Sequence, residues 1–173
     1  MKFQIDDSRA GAQLRKIGLH LAISGLRIVE EYRRVYGDDN DRVMIILAVV
    51  ASTLERAIRG DESGEFSDLR LVLPDEMMGP CNVASIAVAT GLARETARRK
   101  VNALIAEDIL RRDRRGVITF VSGIGQNPVI YRMLRRQAGE IARLASLFSE
   151  AGIMVPIAAA PPLALVADDK RAA

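Results

Sequence analysis

The chain is 173 residues long, which suits one domain of ordinary size or a small domain with arms for association. Apolar residues make up 49% of it but aromatics only 4%, and 27% charged residues at a net charge of +3 exclude a disordered chain, so the expected core is helical and built from Ala, Leu, Ile and Val. Cys81 and His20 are each alone in the sequence, which excludes an intramolecular disulfide, argues against a zinc site and suits a reducing cytoplasm.

The opening Met1 to Asp7 lacks the apolar run and small-residue cleavage site of a secretory signal. Residues from about Ser8 to Tyr36 read as one long helix, with Leu14, Ile17, Leu21, Ile28, Tyr32 and Val35 near one face and Leu19, Ile23 and Leu26 widening it. That is more apolar surface than a lone exposed helix keeps, so a dimer contact is expected, with Gly18 and Gly25 admitting a close neighbour. Gly37 to Asp41 breaks the pattern and caps a second helix to about Arg59, where Gly60 stops it. A calcium loop fails here, because counting from Asp38 puts Arg42 at a ligand position and supplies neither the required Gly nor the closing Glu. The second helix should be the central one, and its nine successive apolar residues from Val43 to Ala51 are about half of the roughly 20 that span a bilayer.

Asp61 to Asp68 reads as an acidic, solvated loop, Leu69 to Leu73 as a short strand completing the sheet of a later hairpin, and Asp75 to Pro80 as a single helical turn or loop. Asn82 then caps a short helix, Gly91 permits a turn with positive φ, and another helix follows from about Ala93. At 100° per residue Ala97, Val101, Leu104 and Ile105 form its core-facing stripe, while Glu95, Arg99, Asn102 and Ala106 form the opposite face, flanked by Thr96, Arg98 and Ala103 with Arg94 in the first turn. Arg can bond guanine bidentately, Asn can bond adenine and Glu can accept from cytosine, so this face offers a reader of base edges. Ile109 to Asp113 and Val117 to Val121 read as a hairpin with a turn at Asp113 to Gly116. From Arg94 to Arg115 eight Arg or Lys stand against four acids, a surplus larger than the net charge of the whole chain, so the positive charge is local and suits phosphate.

Ser122 to Pro128 lacks the third glycine and the lysine of a nucleotide loop and reads as a connector. Asn127 and Pro128 start the last long helix, which runs to about Glu150 with Ile130, Leu134, Ile141, Ala145 and Phe148 spaced as a packing seam. Its Arg132, Arg135, Arg136 and Arg143 read as a solvated face. From Gly152 the tail is Pro- and Ala-rich yet apolar, and is expected to lie along a neighbouring subunit. No His-Glu-x-x-His, Gly-x-Ser-x-Gly or Cys pair occurs, so neither an enzyme nor a cofactor is expected.

The run from Thr90 to Leu110 resembles the recognition-helix segment of bacterial winged helix-turn-helix regulators and is similar to those of the GntR and MarR types. The likeness covers about forty residues and departs at Asp108, where such families commonly carry Gly, and at Ala97, where a larger β-branched residue is usual. It implies a helix in the major groove, a wing against the backbone or minor groove, and, from the MarR type, a cleft for any small-molecule effector.

The expected fold is mainly α, a winged helix-turn-helix flanked by long N- and C-terminal helices that form a dimer interface. It divides into a helical arm over 1–60, a DNA-binding unit over 61–121, a dimerisation helix over 122–152 and a Pro- and Ala-rich tail over 153–173. The expected function is that of a sequence-specific DNA-binding transcriptional regulator, a cytoplasmic homodimer on double-stranded DNA without contact to a membrane. Arg94, Arg98, Arg112, Arg114, Arg115 and the helix start at Asn82 would hold phosphates, while Glu95, Thr96, Arg99 and Asn102 read bases. The alternative is a winged-helix module that docks a protein partner or serves a replication or partition complex without reading bases.

Overall fold

The computed structural model describes residues 2–61 and 63–157, and they form a mainly helical chain. Strand β1 (Phe3–Ile5) leads into helices α1 (Asp7–Ala12), α2 (Leu14–Tyr36) and α3 (Asn40–Arg59). Single 3₁₀ turns at Glu65–Ser67 and Asp75–Met77 carry the chain to α4 (Val83–Thr90) and α5 (Arg94–Ala106), followed by the strands β2 (Leu110–Arg112) and β3 (Ile118–Phe120). Another such turn, Ile124–Gln126, precedes α6 (Pro128–Glu150) and strand β4 (Met154–Pro156). Helices α1, α3, α4 and α6 start where a short polar side chain takes up first-turn amides that have no partner within the helix. Asp39 Oδ1 accepts from the amides of Asp41 and Arg42 at 3.0 and 3.3 Å, and Asn127 accepts from Val129 at 2.9 Å with Pro128 at the first helical position.

The apolar run on α3 places it at the centre, with Val43, Ile45, Ile46, Val49, Thr53 and Ala57 buried. Around it pack Tyr32 and Tyr36 from α2, Ile86 from α4, Ala97, Val101 and Leu104 from α5, Leu110 and Ile118 from the hairpin, and Ile130 and Met133 from α6. The Thr53 hydroxyl donates to the Val49 carbonyl at 2.7 Å, so the polar group inside this core is satisfied. Among the described residues, no helix is long and apolar enough to cross a membrane.

The single helix expected over 8–36 is two helices. Gln13 leaves helical geometry at φ −123° and ψ 17°, and its Nε2 donates to the Ala151 carbonyl at 3.3 Å. Its counterpart lies at the far end of the chain. β1 pairs antiparallel with β4, Phe3 opposite Pro156 and Ile5 opposite Met154, and the Asp6 amide donates to Ile153 at 2.8 Å. The break at Gln13 thus accompanies the pairing of β1 with β4. The tail expected to run along a neighbouring subunit from Gly152 is therefore paired within its own chain as far as Ile157, whose amide donates to Lys2 at 2.8 Å. The remainder of that tail, 158–173, lies outside the described residues.

Two further expectations are corrected. Leu69 to Leu73 forms no strand; its Leu69 and Leu71 carbonyls are held by the Gln126 side-chain amide at 2.7 and 2.9 Å. The extra backbone bond of the hairpin comes from Cys81 instead, whose carbonyl accepts from the Ile118 amide at 2.7 Å. On α6 the expected seam is displaced: Ile130 is buried with Met133, but Leu134 and Ile141 are 38% and 55% exposed. Polar groups share the contact with α2. Arg143 Nη2 donates to the buried Ser24 hydroxyl at 2.7 Å and to Glu140 at 2.8 Å, while Arg27 meets Glu140 and Arg136 meets Glu31, each at 3.1 Å. Ala145 and Phe148 of the expected seam are half-buried, so the polar contacts displace only Leu134 and Ile141 from it.

Candidate nucleic-acid interface

Asn82 Oδ1 accepts from the amides of Ala84 and Ser85 at 2.9 and 3.0 Å, and Ser85 Oγ accepts from the Asn82 amide at 3.0 Å. This reciprocal box fixes where α4 begins. Ser85 is the half of it that sequence reasoning missed, although its place three residues after Asn82 is the signal. Asn82 thus acts through the backbone it holds, its side-chain oxygen being committed to the helix. Gly91 ends α4 at φ 71°, and Leu92 packs against the core. α5 then starts at Ala93 with no side-chain cap, leaving its first-turn amides open.

On α5 the stripe Ala97, Val101 and Leu104 is fully buried, and Ile105 packs beside it. The opposite face is open: Arg94, Glu95, Arg98, Arg99 and Asn102 are exposed and Thr96 is half-buried. After α5 the chain turns through Asp108 at φ 54°, the one described non-glycine residue at positive φ. Asp tolerates this region better than most side chains, which is how the turn survives without glycine. The hairpin pairs Leu110 with Phe120 and Arg112 with Ile118. Asp113 Oδ1 accepts from the amides of Arg115 and Val117 at 2.8 Å, and Gly116 closes the turn at φ 81°. Asp113 is thereby committed to the turn while Arg114 and Arg115 stand exposed at its tip.

Ion pairing sorts the basic cluster. Arg98 grips Glu95 with Nη2 and Nε, at 2.6 and 2.8 Å, and this contact, with the nearby charge of Arg99, holds the Glu95 carboxyl below its usual range. Glu95, expected to read cytosine, and Arg98, expected to hold phosphate, therefore engage each other. Lys100 reaches Asp39 and Asp41, and its hydrogen bond pushes the Asp39 carboxyl down. Arg42 Nη1 meets Glu107 at 2.7 Å, and Arg111 meets Asp75. Lys100 and Glu107 thus tie α5 to the start of α3. These ties span from 36 to 65 residues of sequence, so no local spacing announces them.

Arg94, Arg99, Arg112, Arg114 and Arg115 have no ionic partner among the described residues. Arg112 Nη2 instead donates to Asn102 Oδ1 at 3.0 Å, binding the hairpin to the outer face of α5. The structure therefore brings together the exposed face of α5 and the unpaired arginines of the hairpin, and leaves Asn82 at the start of the preceding helix.

A cavity of about 200 Å³ lies behind the hairpin, lined by Leu54, Ile58, Phe66, Val72 and Phe120 among others. Two larger open clefts, of about 430 Å³ between α2 and α6 and about 650 Å³ beside Tyr131 and Leu134, lie elsewhere on the described surface. Among the described residues, no group of three His, Cys, Asp or Glu is placed to hold a metal ion.

No family model and no curated protein matches the chain. It is similar to the crystal structure of RV1404 from Mycobacterium tuberculosis, at 19% identity over 88% of this chain and 97% of that chain, with a TM-score of 0.42.

Proposed function

We propose that the chain is a sequence-specific DNA-binding transcriptional regulator of winged helix-turn-helix architecture that acts in the cytoplasm as a homodimer. The observation that carries this reading is the open face of α5, on a helix otherwise fixed to the core by Ala97, Val101 and Leu104, beside a hairpin on which Arg112, Arg114 and Arg115 have no ionic partner among the described residues. α5 enters the major groove, with Arg99 and Thr96 toward base edges. Arg94, Arg114 and Arg115 take phosphates, together with the uncapped and partially positive start of α5. α2 and α6 supply the dimer contact, because Leu14, Leu19, Leu21, Leu26 and Ile141 are exposed on a single chain. Two copies then meet half-sites about one helical turn apart.

Arg99→Ala tests the reading. On a duplex selected by the intact chain, titration should show a loss of about 1 to 3 kcal/mol and relaxed selectivity at one base pair, with a smaller loss on random duplex. Equal losses on both would contradict base reading by Arg99.

A further inference from the structure

We propose that Arg112 and Asn102 form one composite reading group that selects a guanine edge, an inference that rests on the regulator reading and specifies what its helix reads. Taken alone, an Asn side chain presents an acceptor and a donor side by side, which matches the amino group and N7 of adenine. In this chain that acceptor already takes one hydrogen bond. Arg112 Nη2 donates to Asn102 Oδ1 at 3.0 Å, and both residues are exposed on the face that also carries Arg99.

The bond fixes which way the amide points. A guanidinium has donors only, so the Asn102 oxygen must face it and the Asn102 amino group must face away; the flipped amide would set hydrogen against hydrogen. One lone pair of Oδ1 remains, but an adenine amino group using it would bring its partly positive hydrogens beside the cationic guanidinium. What the pair offers outward is mostly donors, the Asn102 amino group and the unused N–H groups of Arg112, against one remaining lone pair on Oδ1. The major-groove edge of guanine carries two acceptors, O6 and N7. The pair also keeps its full positive charge, unlike Arg98, whose charge is cancelled by Glu95. Arg112, on a hairpin strand expected only to touch phosphate, thereby becomes a residue that positions Asn102 and shares in reading the base.

The test is selection from a random duplex pool by the full-length chain and by its Asn102→Ala and Arg112→Met forms, whose altered side chains lie outside the core. The base read by the pair is the one at which Asn102→Ala abolishes selectivity. The expected result is guanine at that position for the intact chain, about tenfold weaker binding when it is replaced by 7-deazaguanine, and a shift toward adenine with Arg112→Met, where the freed amide offers both its atoms. Adenine at that position with the intact chain, an Arg112→Met selection identical to that of the intact chain, or unchanged selectivity in Asn102→Ala would each overturn the inference and leave the regulator proposal standing. A pool from which the intact chain enriches no sequence would overturn both.

Discussion

Gly79→Ala is expected to lower the free energy of unfolding by about 3 kcal/mol, read as an earlier urea midpoint at unchanged slope. Gly79 is buried, and its amide donates to the Thr53 carbonyl of α3 at 2.9 Å. A methyl group there would overlap the carbonyl oxygen of Ser52, a backbone atom in the middle of the central helix that has no rotamer to escape into. The segment would have to lift off α3, taking with it the Cys81 carbonyl that accepts from Ile118 and the Asn82 cap of α4. Gly18 and Gly25 meet nothing within 4 Å at the same point, so Ala at either should not destabilise the single chain. A Gly79→Ala protein as stable as the original would contradict the close approach to α3.

Leu19→Glu combined with Leu26→Glu is expected to leave the fold intact, separate the dimer, and weaken binding to a two-half-site duplex by about a hundredfold or more, because two linked contacts become one. The two leucines lie seven residues apart on one sector of α2 and are 58% and 72% exposed in the single chain. Carboxylates there cost little when solvated and much when pressed against an apolar partner face. Sedimentation would show the separation. Unchanged sedimentation with unchanged DNA affinity would place the dimer contact elsewhere.

What could be read from the sequence was whatever short-range chemistry decides. Asn82, Asp39 and Asn127 with Pro128 announce helix starts because the bonds they make reach only two or three residues along the chain. Ala97, Val101 and Leu104 announce a buried stripe because helical geometry sets their spacing. Other misses depend on a partner far away in sequence. The break at Gln13 accompanies the pairing of Phe3 to Ile5 with Met154 to Pro156. Leu69 to Leu73 stays irregular because Gln126 takes its carbonyls. Leu134 and Ile141 stay exposed while Glu140 and Arg143 on α6 bond Arg27 and Ser24 on α2.

The same division runs through the candidate site. Exposure of Glu95, Arg99 and Asn102 follows from helical periodicity alone. That Glu95 is held by Arg98 was within reach of the sequence, since the two are three residues apart on one helix. That Asn102 is held by Arg112 was not, because it requires the hairpin to fold across the outer face of α5.

The most direct test of the central proposal is titration of the full-length chain against a duplex enriched from genomic fragments, repeated at several salt concentrations. With Arg94, Arg114 and Arg115 of two copies on phosphates, the logarithm of the binding constant should fall against the logarithm of salt with a slope of about −5. Absence of duplex binding at low salt, or binding that salt leaves unchanged, would contradict the proposal.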